Sequence, residues 1–194
     1  MCTNGGNMKY AWDHKPNRGA ERTISAIGRT FLELLQEQSF EKITIKEICT
    51  RANYPRATFY NYFEDKYDLL EFYFFYLLNN LDLGDIDKND FDVYAHFDKL
   101  YDFLSQYQDV IKSILKFNKQ DGDLISYSRR YLRQFLLSFM KEFNIGNGDI
   151  PFELMSEYYS ITLELIIKWT FIVEQPISKE EAKKYLKTFL VYNT

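Results

Sequence analysis

A chain of 194 residues, 46% of them hydrophobic, has enough apolar material for one medium domain or for a small domain fused to a larger one. Its two cysteines, Cys2 and Cys49, exclude a disulfide or zinc framework. No apolar run is long enough to span a membrane and no signal-peptide pattern opens the chain, so a reduced, cytoplasmic setting is expected. The net charge of −4 argues against a broad basic surface, yet the charge is unevenly spread. Residues 1–66 carry ten Lys/Arg and eight Asp/Glu, a net of +2, and residues 67–194 carry 14 and 20, a net of −6.

In chain order, residues 1–19 hold Gly5-Gly6 and Pro16 with little periodicity and read as a flexible tail. Its Lys9, Lys15 and Arg18 suit an arm that follows phosphates or enters a minor groove; a solvated tail without a role fits equally well. His14 has no partner at metal-ligand spacing. Arg22 to Gln38 forms the first full helix, with Ile24, Ile27, Phe31, Leu34 and Leu35 on one stripe. Thr44 and Glu47 then have capping-box spacing, and Ile43 and Ile48 stand where a hydrophobic staple packs. Ala52-Asn53 ends this second helix, since asparagine tolerates the left-handed conformation of a sharp exit. Pro55 to Phe63 makes a third helix, with Phe59 and Phe63 one turn apart and facing the core. Asp65 caps a fourth, from Lys66 to about Leu83, whose run Leu69 to Leu78 is apolar nearly all round.

Residues 84–90 read as a loop, and everything beyond reads helical. Helices are expected over 91–107, 109–117, 124–143 and from Pro151 to about Glu174. A second capping box, Ser178 and Glu181, opens the last helix. No strand alternation or internal repeat is present. The expected fold class is all-α. A tail (1–19) and a helix-turn-helix DNA-binding domain (20–66) precede a helical effector-binding and dimerisation domain (67–194).

The third helix presents an outward face of Arg56, Ala57, Tyr60 and Asn61, with Thr58 and Tyr62 at its edges. Arginine reads guanine bidentately, asparagine reads adenine, and alanine offers a methyl contact to thymine. Thr44, Lys46, Thr58, Tyr62 and Lys66 suit phosphates. Two capped helices, a short turn and this face together describe a DNA-binding helix-turn-helix. No enzyme chemistry stands beside it. The sequence has no Gly-rich phosphate loop, Cys/His cluster or nucleophile elbow, so no catalytic residue, metal or cofactor is expected.

At these residues the chain resembles the TetR (tetracycline-repressor-like) family of transcriptional regulators. The family pattern appears as Ser39-Phe40, Thr44, Ala52-Asn53-Tyr54 and the run from Thr58 to Lys66, followed by Leu69-Leu70. The resemblance covers about Arg22 to Leu70. Ser39, Asn53 and Pro55 depart from the usual Gly, Gly and Ser, and Pro55 removes a side-chain cap and a backbone donor.

Half-sites read by paired helix-turn-helix units require a two-fold dimer. The last two helices carry more apolar surface than one amphipathic face needs. With the resemblance, this implies a homodimer through those helices on an inverted-repeat operator in double-stranded DNA. The resemblance also implies a repressor with a small-molecule effector held between the middle helices, where Tyr94, His96, Tyr101, Tyr127, Tyr131 and Trp169 are pocket candidates. The competing reading is a helical adaptor or co-activator that works mainly through a protein partner.

Overall fold

A computed structural model describes residues 17–80, 93–119, 121–143, 150–171 and 177–191. Every regular element among them is helical: α1 Arg18–Leu35, a 3-10 turn Phe40–Lys42, α2 Ile45–Ala52, α3 Arg56–Tyr60, α4 Lys66–Asn80, α5 Val93–Gln106, α6 Gln108–Phe117, α7 Asp123–Phe143, α8 Phe152–Phe171 and α9 Lys179–Val191. The expected all-α class holds. These elements divide into two compact units. One, called the head here, holds the described residues up to Leu78 together with Ser113–Ser128; the other holds residues 79–112 and those from Arg129 onward.

In the head, α1 begins at Arg18, four residues before the expected start. Asn17 takes the N-cap position, and its Oδ1 accepts the Ala20 backbone N–H at 2.9 Å. The rest of the expected tail, with Lys9, His14 and Lys15, lies outside the described residues. Ile24, Ile27, Phe31 and Leu34 form the buried stripe of α1 and meet Phe40, Ile43, Ile48, Phe59, Phe63 and Leu69 in one core. Gly28 sits where a Cβ would come within 3.1 Å of the Tyr73 ring of α4, so a larger residue would require that ring to shift by a few tenths of an ångström. Leu124 of α7 joins the same core, and Ile114 of α6 packs against it.

The other unit is zipped by charge. Arg129, Arg133 and Lys141 of α7 pair with Glu164, Glu157 and Glu153 of α8 at 2.5, 2.9 and 2.6 Å, which fixes an antiparallel register. Lys179 pairs with Asp102 at 2.7 Å and Lys183 with Asp98, joining α9 to α5 in the same way. Exposed pairs of this kind contribute roughly 0–1 kcal/mol each, so stability rests more on the core of Phe97, Ile166, Ala182, Leu186 and Leu190. Ser178 and Glu181 make both bonds of the expected capping box, at 3.0 and 3.2 Å.

Candidate nucleic-acid interface

The reader is built from its caps. Thr44 Oγ1 accepts the Glu47 N–H at 3.2 Å and starts α2. The other half of that capping box is not made: the Glu47 carboxylate accepts from Gln38 Nε2 at 2.7 Å instead of reaching back. At the far end Asn53 adopts φ 59°, ψ 42°, the left-handed conformation expected of it. The Tyr54 N–H bonds the Cys49 carbonyl at 2.9 Å and the Asn53 N–H that of Thr50 at 3.3 Å, the double bond pattern of a Schellman turn. Asparagine thus fills the place the family usually gives to glycine. Pro55 (φ −60°, ψ 147°) takes the N-cap position of α3 without a side-chain cap bond.

The α-helical part of α3, Arg56–Tyr60, is shorter than the expected 55–63. The Tyr62 and Phe63 N–H groups both bond the Phe59 carbonyl, at 3.0 Å each, so the chain tightens into a turn there. Phe59 and Phe63 are fully buried and hold this short helix to the core. Arg56, Ala57, Tyr60 and Asn61 are exposed, and Thr58 and Tyr62 are half-buried beside them. Lys46 and Thr44 are exposed on α2. The Thr44 hydroxyl accepts one bond and keeps its own O–H for a further partner. Arg51 is already engaged: it forms a bidentate pair with Glu37 at 2.5 and 2.6 Å and lies 3.7 Å from Glu33, tying α2 to α1.

Lys66 has inward partners. Its ammonium donates to the carbonyls of Phe40, Glu41 and Ile43 at 2.8, 3.0 and 3.1 Å, and it stands 4.6 Å from the centroid of the Phe40 ring. The Phe40 carbonyl also accepts the Ile43 N–H of the 3-10 turn at 3.2 Å, whereas those of Glu41 and Ile43 lie at the exit of the turn, where helical partners run out. Burial pulls the Lys66 pKa below the usual lysine range, opposed by the charges of Glu41, Asp123 and Asp65. Lys66→Ala is expected to lower head stability by about 1–3 kcal/mol, because the Glu41 and Ile43 carbonyls lose their ammonium donor. A urea titration followed by circular dichroism measures this.

Asp65 caps α4 as expected, its Oδ1 accepting from the Tyr67 and Asp68 N–H groups at 2.7 and 2.9 Å. Tyr67 itself donates its phenol hydrogen to Asp123 Oδ2 at 2.7 Å. That bond pushes the phenol pKa up to about 12. The unfolded value is near 10. The folded state therefore holds this proton more tightly, and the bond's contribution is complete below about pH 10 and lost as the pH rises through 12. The stability difference between the wild type and Tyr67→Phe is expected to be constant up to about pH 10 and to shrink above it, as read from paired denaturation curves.

Three residues of the head escape sequence reasoning. Asn118, only 4% exposed, accepts the Phe40 N–H on Oδ1 at 2.7 Å and donates through Nδ2 to the carbonyls of Leu35 at 3.3 Å and Ile114 at 2.8 Å. Glu41 Oε1 accepts the Asp123 N–H at 3.0 Å. Gly122 makes room for that carboxylate, since a Cβ there would lie 2.9 Å from it. The partners are 78 to 83 residues apart in sequence for the Phe40, Leu35 and Glu41 bonds. The only local signal is a polar break after α6.

The six pocket candidates are divided between the units. Tyr127 belongs to the head and packs on Tyr67 with ring centroids 4.8 Å apart. In the other unit, Tyr94 lies under the Lys187 ammonium, 5.1 Å away. His96 and Tyr131 are half-buried on α5 and α7, and Trp169 is exposed. Tyr101 donates to the Ile177 carbonyl at 3.1 Å. Its ring also lines an apolar seam with Phe97, Leu104, Ile166 and Phe171 that has no room for a water molecule.

Two short helices joined through a left-handed asparagine, with a sealed apolar side and an exposed polar-aromatic side, define a helix-turn-helix protein. Residues 30–72 match the family of bacterial regulatory proteins called the tetR family. Over that segment, which contains α2 and α3, the chain is similar to the members of that family. The chain is 30% identical over 81 residues to the HTH-type transcriptional regulator YxbF of Bacillus subtilis (strain 168). That alignment covers 42% of this chain and 20% of the relative, so the chain spans about a fifth of that protein's length. A TetR transcriptional regulator from Streptococcus agalactiae 2603V superposes with a TM-score of 0.62 and 25% identity, covering 89% of this chain and 96% of that one. A TetR-family regulator from Syntrophomonas wolfei str. Goettingen gives 0.61 and 18%, covering 90% and 96%, a likeness of fold.

Proposed function

We propose that the protein is a cytoplasmic, non-enzymatic transcriptional regulator that binds an inverted-repeat operator as a homodimer and represses until a small molecule releases it. The observation that carries the DNA-reading part is the exposed set Arg56, Ala57, Tyr60 and Asn61 on a short helix pinned by Phe59 and Phe63. Arg56 and Asn61 supply bidentate donors and acceptors for base edges, and Lys46, Thr44, Thr58 and Tyr62 supply backbone contacts. No helix among the described residues is long and apolar enough to cross a membrane.

The dimer reading rests on an apolar stripe. Leu154, Ile161, Leu165 and Trp169 of α8 are 62%, 55%, 49% and 52% exposed, and Tyr185 and Phe189 of α9 are exposed as well. Along α8 these positions are spaced 7, 4 and 4 apart, so they lie on one face. An apolar patch of this kind on a helix pair marks an interaction surface. A second copy fits the need for two readers; a different protein on the same stripe is the adaptor reading. In the effector reading, a ligand wedges open the closed seam beside Tyr101 and shifts the two heads from a half-site spacing of about 34 Å or a multiple of it.

The test is a titration of the purified protein with duplex DNA at about 50 and about 200 mM salt. With two to four phosphates neutralised, affinity is expected to fall roughly tenfold to a hundredfold between these concentrations. Salt-independent binding, or none at either concentration, would remove the DNA-reading proposal.

A further inference from the structure

The helix-turn-helix does not end at α4. We propose that Asn118, which lies outside residues 30–72, is a positioning residue for DNA reading: its buried carboxamide sets the pose of the segment that launches α2. The proposal rests on the DNA-binding reading above.

Residues 36–43 link α1 to α2 and form little regular structure beyond one 3-10 turn. The N–H groups of Gln36, Glu37, Gln38, Lys42 and Ile43 bond carbonyls close by in the chain, but the Phe40 N–H and the Glu41 and Ile43 carbonyls find partners elsewhere, because unpaired buried backbone groups are costly. Asn118 and Lys66 supply them. Asn118 takes the Phe40 N–H while holding the Leu35 carbonyl at the end of α1 and the Ile114 carbonyl of its own helix. Lys66 takes the carbonyls of Phe40, Glu41 and Ile43. A carboxamide is the side chain that can accept from one backbone group and donate to two others. Glu41 adds a second fastening through the Asp123 N–H. Thr44 and Lys46 follow directly on this segment, and α3 follows α2 through the fixed Asn53 turn. A shift at Phe40 therefore moves both backbone-contacting and base-reading residues together, and a misplacement of a fraction of an ångström weakens directional hydrogen bonds.

Asn118→Ala tests this against the wild-type full-length protein at 10 °C, with complete folding verified by circular dichroism. DNA affinity is expected to fall at least tenfold with an unchanged preferred sequence and salt slope. In the free protein, amide exchange over residues 40–48 is expected to accelerate at least tenfold, with α8 and α9 unchanged. A purely structural role predicts wild-type affinity wherever the variant is fully folded. Affinity within twofold of wild type in the fully folded variant would overturn the proposal, whatever the exchange over 40–48. If Asn118→Ala is not fully folded, Glu41→Ala, which removes the exposed second fastening, is read in its place, with the same pattern at about threefold. If the wild type itself selects no DNA, the function reading fails, while the exchange comparison still decides whether Asn118 holds the segment.

Discussion

Replacing Arg56 with alanine is expected to weaken binding to the preferred operator by about 1–3 kcal/mol, roughly fivefold to 150-fold, and to relax the preference at one base pair of each half-site. The guanidinium is exposed on the first turn of α3, and the helix that carries it is anchored by Phe59 and Phe63. The substitution removes no buried contact, so helicity and stability are expected to stay at wild-type values. Competition with single-base operator variants reads the effect. An equal loss on every sequence would assign Arg56 to the phosphate backbone instead.

The double substitution Leu165→Glu with Trp169→Glu is expected to have the larger effect. Both side chains are about half exposed on the same face of α8, one turn apart. Four carboxylates would then meet across a two-fold axis, where like charges cannot be solvated. Dimerisation is expected to fail. Losing the second head removes the effective-concentration advantage of paired binding, which is worth roughly a hundredfold to ten-thousandfold in affinity. Sedimentation and operator binding, measured together, check this. A monomer with full operator affinity would separate dimerisation from DNA reading; an unchanged dimer would place the interface elsewhere.

Local signals in the sequence carried most of the head. Thr44, Asn53 and Asp65 each act within four residues of themselves, and each does in the structure what its residue type predicts, as does Ser178 in the other unit. The stripe of α1 and the pair Phe59 and Phe63 follow from helical spacing alone. Partners farther away in the chain were less legible. Glu47 is captured by Gln38, and Lys66 turns to the carbonyls of a 3-10 turn some 25 residues earlier. Nothing in the local pattern around Lys66 shows that its ammonium has carbonyl partners in the head. Asn118 shows the same limit more strongly: its task exists only because α6 and α7 return to the head, and nothing near it in the chain records that return. The pocket candidates illustrate the reverse case, since aromatic residues at helical spacing do not reveal which of two units each will join.

The most direct test of the central claim, that paired α3 faces read DNA sequence, is selection of random duplex DNA by the purified protein, with the bound fragments sequenced. An enriched inverted repeat is expected, with half-sites centred about one helical turn, or a multiple of it, apart, and with the enrichment lost in Arg56→Ala. Enrichment of no sequence, with only weak salt-sensitive binding, would contradict it and favour a protein partner on the α8 stripe.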